Sequence, residues 1–150
     1  MPQSLSSVLI HLTFSTKHRE PWIRQSIASD LHAYGTTVLN NAGCVTLAMN
    51  GMADHIHVLF NLARVKAIAD VVEELKTSTS KWIKINGRDF HGFHWQTGYA
   101  AFSVSRSNVD QVIQYIRDQE SHHRGQSFQG ELRALLERHE ISFDERYVWD

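Results

Sequence analysis

Apolar and polar residues alternate along residues 5–15. Val8, Ile10, Leu12 and Phe14 share one face, and Leu9, His11, Thr13 and Ser15 the other, the two-residue period of a strand. Pro21 suits the first turn of a helix. Behind it Ile23, Ile27, Leu31, Tyr34 and Val38 recur at helical spacing until Asn40-Asn41-Ala42-Gly43, where a stop is expected. Gly35 weakens the middle of that helix. Residues 44–50 alternate again, 51–54 reads as a turn, and 55–62 as the strand that follows it.

A second helical stripe runs through Ile68, Val71, Val72, Leu75, Thr79, Trp82 and Ile83 and stops at Asn86-Gly87. An aromatic and glycine-rich loop leads to a short strand at 99–105. Ser107-Asn108-Val109-Asp110 resembles a capping box, so one helix is expected from Val109 through Ile116 to His122, His123 and Arg124, closed by Gly125. Leu132, Leu135 and Leu136 mark a further helix at about 129–139, and the last ten residues, ISFDERYVWD, carry no clear period. The order β-α-β-β-α-β followed by α-α is the ferredoxin-like split βαβ arrangement. It is an α+β fold in which an antiparallel sheet carries helices on one face, here with additional C-terminal helices. Repeats, linkers and low-complexity tracts are lacking, which predicts a single domain over 1–150.

Composition adds little to this and removes several classes. At 150 residues, 42% hydrophobic and 21% charged, the chain can bury a real core without staples. Cys44 is the single cysteine, so no disulfide forms within the chain and a reducing compartment is expected. No apolar run approaches the roughly 20 residues that span a bilayer, and the start lacks a basic leader. A cytoplasmic location follows as the expectation. The net charge of −1 argues weakly against nucleic acid, but its distribution does not. Residues 1–106 are net basic and 107–150 net acidic, so a near-neutral total can hide a basic face.

Candidate chemistry sits in the strand at 55–62. Ile56, Val58 and Phe60 point one way, and His55, His57 and Leu59 the other. Cα atoms two residues apart on a strand are roughly 6.5–7 Å apart, close enough for two imidazoles to converge on one ion. His-x-His alone more often marks a satisfied, partly buried pair than a metal site. A cupin site would want a downstream glutamate and an all-β chain, whereas 61–64 is Asn-Leu-Ala-Arg and two helices intervene. A zinc finger would want more thiols. Tyr115 and Gln119, four residues apart, share an edge of the third helix beside its apolar stripe. Each alone reads as a boundary residue. Together with the histidines they offer two imidazoles, a neutral oxygen ligand and a phenol a turn away that could attack phosphorus.

The segments DHIHVLF, WQTGYAAFSVS and YIRDQESHH, in this order and at these separations, resemble the single-tyrosine HUH transposases of the insertion-sequence 200 type, to which the REP-associated tyrosine transposases are related. HUH, His-hydrophobe-His, is met by His55-Ile56-His57, and the likeness runs from the first strand to the ERYVWD end. The resemblance implies a DNA transposase that cuts and rejoins single-stranded DNA with hairpin ends through a 5′-phosphotyrosine. The nucleophile would be Tyr115, and a metal would be held by His55, His57 and Gln119; separately, His122 falls near Tyr115 on the helical wheel and is expected as a supporting residue. It implies Mg²⁺ or Mn²⁺, and two imidazoles suit Mn²⁺ better than Mg²⁺. It also implies a homodimer in which Tyr115 acts on its own or on the partner's histidines.

DNA contacts are expected from Lys76, Lys81, Lys84 and Arg88 along the second helix and its exit, from Arg106, and by stacking from Trp95. For most of these a solvated surface explains the residues equally well, and Trp82 reads as core. Two functions remain open: an active transposase, mobile or domesticated, and a hairpin-binding protein on the same fold that has lost strand transfer. An unrelated metal hydrolase is disfavoured because no residue is read as a general-base carboxylate beside the histidine pair.

Overall fold

The computed structural model describes residues 2–122 and 125–150, except for the side chain of His122. Four strands, β1 (Leu9–Ser15), β2 (Val45–Met52), β3 (His55–Asn61) and β4 (Ala100–Ser103), form one antiparallel sheet in the order β2-β3-β1-β4. Helices α1 (Gln25–Asn41) and α2 (Ile68–Ile85) are the crossovers, as the split βαβ order requires. The chain ends in α3 (Val109–Arg117), the single turn α4 (Gln119–His122) and α5 (Phe128–Arg138). No helix among the described residues is long and apolar enough to cross a membrane.

The sheet separates two packed regions. On one side Ile10, Leu12 and Phe14 of β1 and Ile56, Val58 and Phe60 of β3 join Leu31, Leu39, Leu75 and Ile83 of α1 and α2 in a continuous buried core. On the other, Leu9 and Leu59 meet Val109 and Ile116 of α3, and Phe102 meets Phe128, Leu132 and Leu136 of α5. Helices therefore cover both faces rather than one. The β2–β3 connection is tight: a Cβ at Gly51 would lie 2.2 Å from the His55 carbonyl oxygen, so only glycine lets the hairpin close there. Gly43, at φ +89°, ends the α1 region in a left-handed conformation.

Three local expectations are corrected. Pro21 precedes α1, which starts at Gln25, so it lies in the connection and not in the first turn. The capping box does not form: Asn108 is the N-cap of α3 without a side-chain bond, while the Ser105 and Ser107 hydroxyls pair with each other at 3.0 Å. The third helix is not continuous to residue 124. Asp118 leaves helical geometry, and Asn50 of β2 donates to the freed carbonyls of Ile116 and Arg117 at 3.0 and 3.1 Å. By contrast Ser127 caps α5, accepting from the Gly130 amide at 3.1 Å.

Candidate metal centre and nucleophile

Strand β3 lies between β1 and β2, so the face carrying His55 and His57 is central in the sheet. Both imidazoles are 0% exposed, as is Gln119, and Glu131 of α5 is 2% exposed. Buried groups of this kind are tolerated only when partnered. Here every ring nitrogen of the pair has a partner. His55 Nδ1 meets Asp54 Oδ1 at 2.7 Å and its Nε2 meets Gln119 Oε1 at 3.0 Å. His57 Nδ1 meets His11 Nε2 at 2.8 Å and its Nε2 meets Glu131 Oε1 at 2.7 Å. Glu131 Oε1 is also 3.6 Å from His55 Nε2.

The two Nε2 atoms and a Glu131 oxygen therefore converge, each within 4.8 Å of the others, and Gln119 Oε1 joins them. Bonds of about 2.1 Å to one ion put neighbouring ligand atoms roughly 3.0–3.4 Å apart. The observed 2.7, 3.0 and 3.6 Å span that range, so the donor set fits a divalent metal. Asp54 holds the far nitrogen of His55, as carboxylates commonly do behind metal-binding histidines. Burial is the main cause that pulls the His11 imidazole down to about 3, so it stays neutral behind His57. In a neutral His57 whose Nε2–H donates to Glu131, His11 donates to His57 Nδ1. With His57 Nε2 free to bind metal, its Nδ1–H must donate to His11 instead.

Tyr115 lies on α3 with its ring centroid 5.7 Å from that of His57 and 6.1 Å from that of His11. Its hydroxyl donates a very short hydrogen bond to Glu131 Oε2. Gln119 Nε2 donates to the same oxygen at 3.2 Å. Burial first, and then the bond to Glu131 and its charge, push the phenol well above its usual range, while Gln119 and, less, the Arg138 charge oppose this. The phenol is held protonated at neutral pH.

The structure thus brings His55, His57, Gln119 and Tyr115 together within one chain. The side chain of His122 lies outside the described residues. Of the expected DNA contacts, two are corrected. Trp95 is buried, packed edge-on against Phe14 and Phe93, and its indole N–H donates to Thr79 Oγ1 at 3.0 Å, so it has no free face for a base. Lys76 Nζ donates to the carbonyls of Gln96, Thr97 and Gly98 and sits over the Phe14 ring, with burial lowering its pKa to about 8. It holds the loop before β4. Lys81, Lys84 and Arg88 lie on or after α2, across the sheet from the histidines. Arg106 is exposed in the turn before α3, on the Tyr115 side.

Sequence reasoning missed three residues here. His11 was legible as a strand neighbour facing the same way as the pair, and Asp54 as its immediate predecessor. Glu131 gave no local signal, being one of several acids in an acidic segment. It also overturns the objection that no carboxylate stands beside the histidines.

Residues 4–119 match the family model described as "Transposase IS200 like". The chain belongs to this transposase family. Over 114 residues it is 25% identical to the ISDra2 transposase TnpA of Deinococcus radiodurans, covering 73% of this chain and 81% of that one. A crystal structure of a candidate transposase from the same organism superposes with a TM-score of 0.61 at 23% identity, over 79% of this chain and 98% of the other. A REP-associated tyrosine transposase solved with a REP hairpin superposes with a TM-score of 0.62 at 12% identity, over 82% and 72%. At those identities the two structures speak for the fold. The family match ends at Gln119, so α5 and Glu131 lie beyond it.

Proposed function

We propose that this transposase cuts and rejoins single-stranded DNA through a covalent bond between Tyr115 and a 5′-phosphate. The observation that carries the reading is the chain of contacts from the Tyr115 hydroxyl through Glu131 to His57 Nε2, built by one chain. The phenol oxygen attacks the phosphorus, the bond to the 3′-oxygen breaks, and the 3′-oxygen leaves as a hydroxyl after gaining a proton. Glu131 Oε2, already bonded to the phenol, is positioned to take the proton it loses. A divalent ion held by His55, His57, Gln119 and Glu131 would stabilise charge developing on the phosphate oxygens. Mg²⁺ and Mn²⁺ are the ions proposed, and a mixed imidazole and oxygen set suits Mn²⁺. Reversal of the same step on another 3′-hydroxyl rejoins DNA without an external energy source.

Residues 1–150 would act as one catalytic domain in the cytoplasm, where the buried Cys44 stays reduced. We take Tyr115 to act with the histidines of its own chain, and a homodimer to bring two hairpin ends together. A second reading is a hairpin-binding protein without strand transfer. The complete burial of His55 and His57 beneath α5 is the observation that favours it.

Incubating the protein with single-stranded DNA carrying hairpins from the flanks of its gene, in Mn²⁺, separates the two. The transposase reading expects a denaturant-resistant adduct on the tryptic peptide 107–117, absent in Tyr115→Phe. Binding without an adduct across those flanks would favour the second reading, and an adduct on another tyrosine would refute the role of Tyr115.

A further inference from the structure

A cleft of about 270 Å³ opens beside Tyr115, between β4, α3 and α5. Phe102 and Tyr115 line it together with Ser105, Asn108 and Gln111 from the α3 side and Arg138 and His139 from the end of α5. Its volume is near the lower end of the roughly 300–1,000 Å³ typical of small-ligand sites, room for one nucleotide and too little for a duplex. The chemistry of its lining is that of single-strand recognition. His139 stacks on Phe102 with ring centroids 4.6 Å apart and planes 27° apart, yet the residue remains exposed, leaving ring surface for a base. Ser105, Asn108 and Gln111 offer hydrogen bonds to sugar and phosphate.

Arg138 supplies the charge. It follows Glu131 by seven residues, two turns along the same face of α5, so the buried carboxylate and the exposed guanidinium both address Tyr115. It forms no ion pair among the described residues. Neither Arg138 nor His139 lies within the span that matches the family.

We propose that this cleft seats the unpaired nucleotide next to the phosphate that Tyr115 attacks, with Arg138 on a phosphate and the base against His139. The proposal rests on the transposase reading for the role of Tyr115. The guanidinium would offset the repulsion between the incoming phosphate and Glu131, which explains how a strand could approach a nucleophile bonded to a carboxylate.

The test uses Tyr115→Phe as the parent, so that binding is read without cleavage, and a 5′-labelled oligothymidylate of about 12 nucleotides, followed by fluorescence anisotropy. Adding Arg138→Ala should weaken binding about fivefold or more and flatten the salt dependence by about 0.7, the value of one phosphate contact on a single strand. Arg138→Lys should restore most of the salt slope. His139→Ala should weaken binding severalfold with the slope unchanged. Thermal unfolding of each variant checks that α5 still docks.

Affinities within twofold of the parent for both Arg138→Ala and His139→Ala would overturn the proposal. So would an equal loss on a duplex of the same length, or tighter binding of oligouridylate. Adduct formation by wild-type protein reports the transposase reading separately. An adduct with an indifferent Arg138 refutes the cleft alone. Cleft-dependent binding without any adduct refutes the nucleophile reading and supports the cleft.

Discussion

The two faces of the sheet come from the same strands and are built on different physics. Toward α1 and α2, Ile10, Leu12, Phe14, Ile56, Val58 and Phe60 are apolar and bury their area against apolar helices. Alternating with them, toward α3 and α5, stand the apolar Leu9 and Leu59 and, beside these, His11, Thr13, Ser15, His55 and His57, all buried and all polar. The first face is stabilised by removing hydrocarbon from water, at roughly 25 cal/mol per Å². The second has apolar contacts of its own around Leu9, Leu59 and Phe102, but its polar centre holds because its hydrogen bonds close on one another from Asp54 through to Tyr115. One face supplies stability and the other spends some of it on a constellation that can do chemistry.

Truncation should separate the faces most sharply. Phe60→Ala removes a fully buried ring from the first face and should cost about 3–5 kcal/mol of folding stability. His55→Ala with His57→Ala removes from the second face the two imidazoles that converge on the metal position. Metal-induced stabilisation and cleavage should vanish while the chain still folds, with a loss of about 1–3 kcal/mol from partners left unpaired. Urea unfolding with and without Mn²⁺ measures both. Unchanged Mn²⁺ affinity in the double variant would remove the histidines from the metal site.

Glu131 sharpens the contrast because it is the charge beneath which the second face closes. Glu131→Leu replaces a buried carboxylate by a side chain of similar size among Phe128, Leu132 and Leu136. Leucine takes away the acceptor that His57 Nε2, the Tyr115 hydroxyl and Gln119 Nε2 share, and losing a buried hydrogen-bond partner costs about 1–3 kcal/mol. Metal-free Glu131→Leu should therefore be less stable than wild type by urea unfolding while still folding, and show weaker Mn²⁺ binding by calorimetry. Wild-type Mn²⁺ affinity in this variant would show that Glu131 only lies beside the site.

The difference between the faces also governs what could be read from the sequence. An apolar face announces itself by period, and β3, α2 and α5 lie within a residue or so of where alternation and helical spacing put them. His55 and His57 were legible for the same reason, since a strand allots its faces in turn. Gln119 was legible only through its spacing from Tyr115, and the helix breaks between them at Asp118 because Asn50, distant in sequence, takes the carbonyls of α3. Glu131 reaches the histidines through tertiary packing of α5, which no local period encodes. Trp95 misled for the complementary reason. Its loop is aromatic and glycine-rich with no period, but Lys76 ties down the carbonyls that follow and Thr79 takes the indole N–H inside the core.

The smallest effect concerns a histidine on each side of the sheet. His11, on the polar side, is buried and has His57 as a partner. His32, on α1, has an Nε2 that is buried without any hydrogen-bond partner among the described residues. Burial lowers its pKa from 6.5 to about 4. The folded form then binds fewer protons than the unfolded chain between about pH 4 and 6.5, so stability falls as pH drops through that window. His32→Leu removes both the titration and the unpaired nitrogen and suits a helix interior. At pH 5 it should gain about 1–2 kcal/mol over wild type, and much less at pH 8, by urea unfolding at the two values. The gain at pH 5 should persist in Tyr115→Phe protein, since His32 sits on the core side of the sheet. An equal gain at both pH values would mean that packing alone, and not the buried imidazole's reluctance to charge, limits stability there.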